Sequence, residues 1–457
     1  MAMAQTRFDL REESSVTKTK KQNWGTCWAF ASLAAIESNL LRERNWNFKF
    51  EPDFSEYHMD KYSGFNRNGH ADHLRHESYS GQGEGYLGSN TDTPKKGLIV
   101  HSGGDFKVAA AYLSNIGGAV EEFKTPGFGY SHNDHSRFGN TPTDGVLKEN
   151  NYNYYLPSSI EWLTYGSFEE NIQRIKESIM KHGSVGSSQL MQNEPHEYTL
   201  SGEEIHFYHG PKEPTHAINL IGWDDERAVI PFKPGVWIAQ DSDHINEVTG
   251  HIGYFLTPYA DTHTGQNLES GGVSFRGTYK RNFKKIHSHA LHGWQYEYRA
   301  KKVSNLYKLE NEIPTHVGIY TTVPNDQPIA FVTDLKGNML CHTKKEIKEN
   351  PGFYLLELRC EEESFKNQTY RVELETKSGL YAYDAEKAYK PLLGNSALPE
   401  FGSPLIVGSR ANPGESFYYK DGTWKDFYFK SFPTETQYGL TVQKTETANF
   451  AINLFTK

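Results

Sequence analysis

The sequence is poor in cysteine, in long apolar runs and in excess positive charge, and each shortage excludes a class of protein. Three cysteines among 457 residues are too few for a disulfide-rich scaffold. No run of about eighteen apolar residues occurs, so the sequence predicts no membrane-spanning helix. The net charge of −9 comes without a basic arm or face, and we therefore expect no nucleic-acid partner.

The chain begins Met-Ala-Met-Ala, which lacks the apolar stretch of a signal peptide. We interpret these residues as a remnant in front of a mature N-terminus, and we expect that an export signal and a pro-segment have been removed.

The length predicts about two or three domains. Residues 5–256 mix helical and strand patterns, which predicts an α+β domain. Residues 257–457 contain many short aromatic and β-branched runs broken by Gly, Pro, Asn and Asp, which predicts an all-β sandwich. The boundary is expected between positions 257 and 300.

Local patterns predict the elements nearest the candidate site. Apolar residues recur at helical spacing from Cys27 to about Leu41. A capping box at residues 167–170 opens a second helix, which Gly183 is expected to end. The runs "HAINLIGW" (216–223) and "GVWIAQD" (235–241) predict adjacent antiparallel strands.

The stretch "QNWGTCWAF" (22–30) places Cys27 at the start of the predicted helix. A nucleophilic cysteine needs a thiolate, a base and a donor for the oxyanion. The positive end of a helix dipole favours the thiolate. Taken alone, Cys27 is better explained as a small buried hydrophobic residue, His216 as a structural histidine, and Gly103-Gly104 as a turn.

Several ordered motifs resemble the papain-like cysteine peptidases. They are "FDLREESSVT", "KQNWGTCWAFASLAAIES", "HSGGDFKVAAAYL", "PTHAINLIGWDD" and "VWIAQDSDHINEVTGHIGYF". The resemblance spans most of residues 7–256 and implies a catalytic domain of two lobes, one helical and one β-barrel-like.

The resemblance implies a role for each matching residue. Cys27 would be the nucleophile and His216 the general base and acid. Asp241 would orient the imidazole, and Gln22 would donate to the oxyanion beside the Cys27 backbone N–H.

Four further positions are implied to bind the substrate. Gly103 and Gly104 would pair with the extended substrate backbone as an antiparallel strand. Thr215 and Ala217, which flank the histidine, would help line the main specificity pocket.

The motif around the site departs from the family in three ways. The interval from Gln22 to Cys27 is five positions, one shorter than usual, and the customary cysteine before this loop is absent. Asp241 stands where the family has Asn. Asp243 replaces the Trp that usually shields the histidine, so we expect an exposed, weaker contact between His216 and Asp241.

The C-terminal half resembles the lectin-like domain of clostridial and other bacterial surface peptidases. The string "NPGESFYYKDGTWKDFY" and the ending "TANFAINLFTK" are the most similar parts. The resemblance implies association with carbohydrate or cell wall and a possible calcium ion, for which we assign no ligands. Cys341 and Cys360 could pair, since both fall in the strand-rich C-terminal half, although their spacing alone is weak evidence for a disulfide.

Together these features predict a secreted or surface-associated bacterial cysteine endopeptidase that acts on proteins or peptides without a metal or cofactor. Two alternatives stay open: a papain-like pseudoenzyme that binds peptide or glycan, and a thiol acyl transferase or ligase. Three histidine groups are interpreted as solvated surface rather than metal sites. They are His70, Asp72, His73 and His76; His132, Asp134 and His135; and His287, His289 and His292.

Overall fold

The structure of the protein is a computed structural model. The structure describes most of the chain, with gaps between the described ranges. These ranges are 5–22, 25–65, 97–98, 103–122, 152–191, 197–200, 205–229, 232–245, 252–361, 365–391, 393–394 and 404–457.

The helices of the described residues lie in the first half of the chain. They are α1 (Cys27–Arg42), α2 (Glu56–Lys61), α3 (Phe106–Tyr112), which continues into a π-helical turn (Leu113–Gly117), and α4 (Phe168–His182). The predicted capping box at α4 is confirmed: Ser167 Oγ accepts from the Glu170 N–H, and Glu170 Oε2 accepts from the Ser167 N–H. Gly183 follows the last turn with a φ of 98°, as a helix end favours.

The strands up to residue 280 are short, apart from β8, β9 and β10. They are β1 (Arg7–Asp9), β2 (Ala119–Val120), β3 (Tyr154–Leu156), β4 (Ser159–Trp162), β5 (Val185–Gln189), β6 (Glu197–Leu200), β7 (Ile205–Tyr208), β8 (His216–Asp224), β9 (Val236–Ile245), β10 (Ile252–Pro258), β11 (Val273–Arg276) and β12 (Tyr279–Lys280).

The remaining strands form the β-rich second half. They are β13 (Lys285–His287), β14 (Tyr296–Arg299), β15 (Val303–Leu309), β16 (Pro314–Thr321), β17 (Ile329–Thr333), β18 (Met339–Thr343), β19 (Gly352–Cys360), β20 (Gln368–Glu375), β21 (Leu380–Asp384), β22 (Lys387–Tyr389), β23 (Leu405–Val407), β24 (Ser416–Lys420), β25 (Thr423–Asp426), β26 (Glu435–Gln437), β27 (Leu440–Val442), β28 (Asn449–Phe450) and β29 (Asn453–Thr456).

Strand β8 is the centre of the first half. It pairs antiparallel with β5 on one side and with β9 on the other, and β9 pairs antiparallel with β10. The predicted pairing of residues 216–223 with residues 235–241 is therefore confirmed. Helix α1 packs against β8, and the Asn219 side chain donates to the Ala31 carbonyl at 2.9 Å. This bond fixes the helix that begins at Cys27 against the strand that begins at His216.

The strand pairs of the second half are antiparallel, and several join strands far apart in the sequence, such as β15 with β20 and β16 with β29. The predicted hairpin is present between β24 and β25, where Asp421 and Gly422 have φ of 50° and 79°. Cys341 and Cys360 form a disulfide between β18 and β19, at directly opposed positions of the pair. The pairing considered from sequence is thus confirmed.

The two halves share strand pairings and a hydrophobic core. Strand β11 pairs with β4 and β5, and β19 also pairs with β4. One buried cluster contains Cys27 and Trp28 together with Phe353 and Phe455. Side chains from both ends of the chain therefore support the candidate site, and the domain boundary between 257 and 300 stays a prediction. In the described residues, no helix is both long and apolar enough to cross a membrane.

Candidate active site

Cys27 is the first residue of α1, and its thiol is free and buried. Thr26 occupies the N-cap position without making a side-chain capping bond. The first backbone N–H groups of a helix have no partner within the helix, and they create a partial positive charge at this end. The Cys27 sulphur and backbone N–H therefore lie where a helix stabilises negative charge.

His216 and Asp241 form a buried pair on the neighbouring strands β8 and β9. The His216 Nε2 and Asp241 Oδ1 atoms are 2.6 Å apart, and the other side of the imidazole is hydrogen-bonded to the Cys27 sulphur. Because Asp241 engages Nε2, Nδ1 is the ring nitrogen that is left for the thiol. Thiol, imidazole and carboxylate thus form one hydrogen-bonded line.

The environment favours the imidazolium form of His216. Burial alone lowers the pKa of a histidine, because it penalises the charged form. Here the charge of Asp241, the charge of the Cys27 sulphur and the hydrogen bonds to both groups outweigh burial, and the pKa of His216 is raised well above its ordinary value. This arrangement favours an imidazolium between the Asp241 carboxylate and the Cys27 sulphur.

The expected exposure of the contact between His216 and Asp241 is wrong. The two side chains are only 7% and 0% exposed. Asp243 is exposed, but its backbone N–H donates to Asp241 Oδ1 at 3.0 Å. The pair is shielded by its position in adjacent strands that pack under α1, so it does not depend on a large side chain at position 243.

Gln22 is held beside this pair by the residue that follows Asp241. The Gln22 backbone N–H donates to the Ser242 carbonyl at 2.9 Å, and the Ser242 hydroxyl donates to Gln22 Oε1 at 2.6 Å. Because the side-chain oxygen is occupied, the orientation of the side-chain NH₂ is fixed. Two hydrogen bonds therefore attach Gln22 to β9, five positions before Cys27.

Gly104 lies against Trp28, the residue after Cys27. A Cβ atom added to Gly104 would lie 2.6 Å from the Trp28 ring, which is closer than such atoms approach. Gly103 has a φ of 129°, a conformation that side chains disfavour. A side chain at position 104 would displace the Trp28 ring, and one at position 103 would strain the backbone.

Thr215 and Ala217 flank the histidine as predicted. Ala217 is buried in the same core cluster as Cys27 and Trp28. The Thr215 hydroxyl accepts from the Met191 N–H at 3.2 Å, and the Thr215 N–H donates to the Gln189 carbonyl at 3.1 Å. The start of β8 is thus anchored to the end of β5.

The roles of two residues that position the site, Ser242 and Asn219, were not predicted from the sequence. Ser242 aligns with the serine of the family's Asn-Ser-Trp-Gly segment, so the motif already contained a signal for it. Asn219 offered none, because its bond to Ala31 depends on how α1 packs on β8.

The predicted surface histidines fall into two sets. The groups at 70–76 and 132–135 lie outside the described residues. The solvated-surface prediction is wrong for the third group, because His287 and His292 are buried and His289 is partly buried. Their partners are separate: Glu312 for His287, the Leu306 carbonyl for His289 and Asp384 for His292. In the part of the chain that is described, no three His, Cys, Asp or Glu side chains come together to hold a metal.

Comparisons with known proteins agree with this geometry. The family model described as papain family cysteine protease matches residues 4–66, which include Gln22 and Cys27. No curated protein matches the sequence.

Two solved structures are similar over nearly the whole chain. One is a cysteine-to-alanine variant of the clostridial cysteine protease Cwp84 after propeptide cleavage, with 16% identity, a TM-score of 0.71 and 99% of each chain covered. The other contains the cysteine protease and lectin-like domains of Cwp84, described as a surface layer associated protein of Clostridium difficile. It has 15% identity and a TM-score of 0.71, and covers 100% of this chain and 89% of that chain.

This fold and site are similar to those of papain-like cysteine peptidases that carry a C-terminal lectin-like domain. The family model matches the segment around Cys27, and the likeness of the fold extends along the chain.

Proposed function

We propose that the chain is a cysteine endopeptidase in which Cys27 attacks the carbonyl of a peptide bond. The main observation in support is the buried line of thiol, imidazole and carboxylate formed by Cys27, His216 and Asp241. The imidazolium favoured by the raised pKa of His216 stabilises the thiolate, which is the nucleophilic form of cysteine.

The reaction proceeds through an acyl-enzyme. The Cys27 thiolate adds to the carbonyl carbon, and the oxyanion is stabilised by the Cys27 backbone N–H and the Gln22 side-chain NH₂. The carbon–nitrogen bond then breaks, and His216 gives its proton to the leaving amine. His216 next accepts a proton from water, which hydrolyses the thioester and releases the acid product.

The finer architecture also belongs to this proposal. The substrate cleft lies between a helical lobe, which contributes Cys27, and a β-barrel-like lobe, which contributes His216. Gly103, Gly104, Thr215 and Ala217 form the substrate-binding side of the cleft. The second half folds as a β-sandwich that binds carbohydrate or cell wall, and calcium in that domain stays a hypothesis without assigned ligands. The proposed reaction uses the chain's own groups and no cofactor.

The proposed substrates are proteins or peptides, and the proposed location is extracellular or at a bacterial surface. The support is the likeness of the fold along the chain to Cwp84, which is described as surface-layer associated.

Labelling with a peptidyl epoxide, followed by intact-mass analysis, tests the proposal. We expect one adduct, at Cys27, and none in Cys27→Ala or His216→Ala. Cys341 and Cys360 serve as internal controls, because their sulphurs are joined in a disulfide. An unmodified Cys27 under conditions that label papain-type enzymes contradicts the proposal and favours a peptide-binding pseudoenzyme.

Product analysis separates hydrolysis from acyl transfer. A peptide library is incubated with the protein in the presence and absence of an added amine. We expect hydrolysis products in both reactions. Products joined to the added amine in place of hydrolysis indicate a transferase or ligase, because both reactions share the acyl-enzyme.

A further inference from the structure

Two residues of the second half lie against the predicted substrate-binding residues. Gly104 exchanges both of its backbone hydrogen bonds with Leu393: the Gly104 N–H donates to the Leu393 carbonyl at 3.0 Å, and the Leu393 N–H donates to the Gly104 carbonyl at 3.4 Å. The pairing is antiparallel. The Gly394 N–H donates to the Thr215 carbonyl at 3.0 Å.

These are the contacts that an extended substrate is expected to make. The predicted role of Gly104 is to pair with the substrate backbone as an antiparallel strand, and here Leu393 occupies that position. The next residue along the chain, Gly394, bonds the residue that directly precedes His216. The backbone therefore runs from the glycine strand toward the catalytic pair, in the manner of a strand added to an open edge.

The side-chain packing shows that this is a fitted contact. Leu393 is 1% exposed and belongs to the core cluster that contains Cys27, Trp28 and Ala217. A Cβ on Gly103 would lie 3.0 Å from the Leu393 carbonyl oxygen and 3.3 Å from the Pro391 Cβ. The absence of a side chain at Gly103 leaves room for this strand.

Neighbouring contacts hold the same segment on the first half. The Tyr389 hydroxyl donates to Asp105 Oδ2 at 2.9 Å. The Lys390 ammonium and the Glu213 carboxylate are 2.7 Å apart. Both partners belong to the part of the chain that holds the catalytic groups, so the segment is attached on two sides before it reaches Gly104.

We propose that Leu393 and Gly394 are a resident, substrate-like occupant of the peptide-binding groove, and that a peptide substrate must displace them. The proposal depends on the proposed function for the identity of the groove, but its central test does not need a reactive thiol. The apparent affinity of a ligand falls by the fraction of molecules whose site is open. A charged side chain at position 393 is disfavoured in the apolar site, so the segment leaves the groove. The fraction of molecules with an open groove then increases.

Peptide binding to inactive variants tests the occupancy directly. A fluorescein-labelled peptide with the sequence of residues 389–394 is titrated into Cys27→Ala and into Cys27→Ala/Leu393→Asp, with anisotropy as the readout. We expect binding about tenfold tighter or more in the double variant, because the competing strand has been removed. Cys27→Ala/Leu335→Asp is the matched control, since Leu335 is an exposed leucine of the same half. Equal affinity in all three proteins overturns the proposal.

Labelling of Cys27 with two thiol reagents distinguishes a failure of this proposal from a failure of the proposed function. A peptidyl epoxide needs the groove, whereas iodoacetamide needs only the thiol. In Leu393→Asp we expect the rate of epoxide labelling at Cys27 to rise about tenfold, with the iodoacetamide rate within about twofold of wild type. Failure of the epoxide to label either protein contradicts the proposed function, while equal epoxide rates in both contradict the occupancy.

A milder variant guards against misfolding. Leu393→Ala removes most of the buried side chain without adding charge, and far-UV circular dichroism and thermal unfolding establish that each variant is folded. We expect peptide affinity to increase in the order Leu393, Leu393→Ala, Leu393→Asp. Folded Leu393→Ala with wild-type affinity counts against the proposal, whatever happens to Leu393→Asp.

Discussion

At the residue scale, the main departure from the family motif is the aspartate that contacts the histidine. Asp241 is fully buried and accepts from both the His216 ring and the Asp243 backbone. A buried carboxylate beside an imidazole favours the charged ring, and an amide in the same place does not. The substitution therefore changes the electrostatics of the pair and keeps its geometry.

Replacing Asp241 by Asn should move the alkaline limit of activity. An amide oxygen still accepts the imidazole N–H, but the charge that raises the pKa of His216 is lost. Because the pKa of His216 is raised in the folded protein, the imidazolium form is present at low pH and is lost as the pH rises through that pKa. We expect the alkaline limb of the kcat/KM profile to shift to lower pH in Asp241→Asn. Asp243→Asn is the control and should keep the wild-type alkaline limb. If the alkaline limb lies at the same pH in Asp241→Asn and Asp243→Asn, this account is contradicted.

A second prediction at this scale is that Ser242 orients the Gln22 side chain. Its hydroxyl bonds Gln22 Oε1, so Ser242→Ala frees the Gln22 side chain to rotate while the Gln22 backbone bond to residue 242 stays. We expect kcat to fall about fivefold with little change in KM, as the loss of one hydrogen bond of about 1 kcal/mol implies.

The effect of Ser242→Ala should be absent in a Gln22→Ala background, because there is then no amide to orient. Gln22→Ala itself is expected to lower kcat by about a hundredfold. Ser178→Ala, which removes another buried serine hydrogen bond, is the control for general destabilisation. Additive losses in the double variant contradict a positioning role.

At the element scale, one buried group of charges joins the N-terminal segment to α1 and α2. The Lys20 ammonium lies 2.9 Å from carboxylate oxygens of Glu37 in α1 and Glu56 in α2. Glu37 also accepts from the Phe54 backbone N–H and from the Thr17 hydroxyl. These bonds hold together the elements behind Cys27, because α1 begins at the nucleophile.

Glu56 makes this junction sensitive to pH. Burial raises the pKa of Glu56 to about 8, although the charge of Lys20 opposes the rise. A pKa raised in the folded state means that the folded protein holds the proton more tightly. The free energy of unfolding should therefore decrease as the pH rises from the ordinary value of 4.5 to about 8.

Urea unfolding at a series of pH values checks this prediction. Glu56→Gln should show a flatter dependence over that interval than the unsubstituted protein, since the amide does not titrate. The exposed Glu51 provides the matched control, Glu51→Gln, which should retain the full dependence. An unchanged slope in Glu56→Gln is the result that excludes Glu56 as the source.

At the scale of the whole molecule, sequence patterns predicted features whose causes are local. The capping box before α4 and the turn at Asp421-Gly422 depend on residues within a few positions, and both are present. The order of the Cys27 and His216 motifs indicated which residues meet, because the resemblance to a known family supplies the long-range geometry.

Features created by packing between distant segments were not predicted. The burial of Asp241 depends on α1 covering β8 and β9, and the motif alone suggested exposure. The contact of Leu393 with Gly104 has no local signature, because an apolar residue before a glycine is common in loops. Such contacts depend on how the two halves pack against each other, and the spacing and periodicity of residues carry no information about that packing.

The shared core predicts that the two halves unfold together. Phe353 is fully buried in the cluster that includes Cys27, and its strand β19 pairs with β4 of the first half. Phe353→Ala should lower the free energy of unfolding by about 3–5 kcal/mol. We expect the loss of peptidase activity and the change in tyrosine fluorescence, to which both halves contribute, to shift to lower temperature by the same amount. Phe429→Ala, at an exposed phenylalanine, should shift neither. A fluorescence transition that moves while the activity transition stays in place would show that the second half unfolds independently, and would contradict a common core.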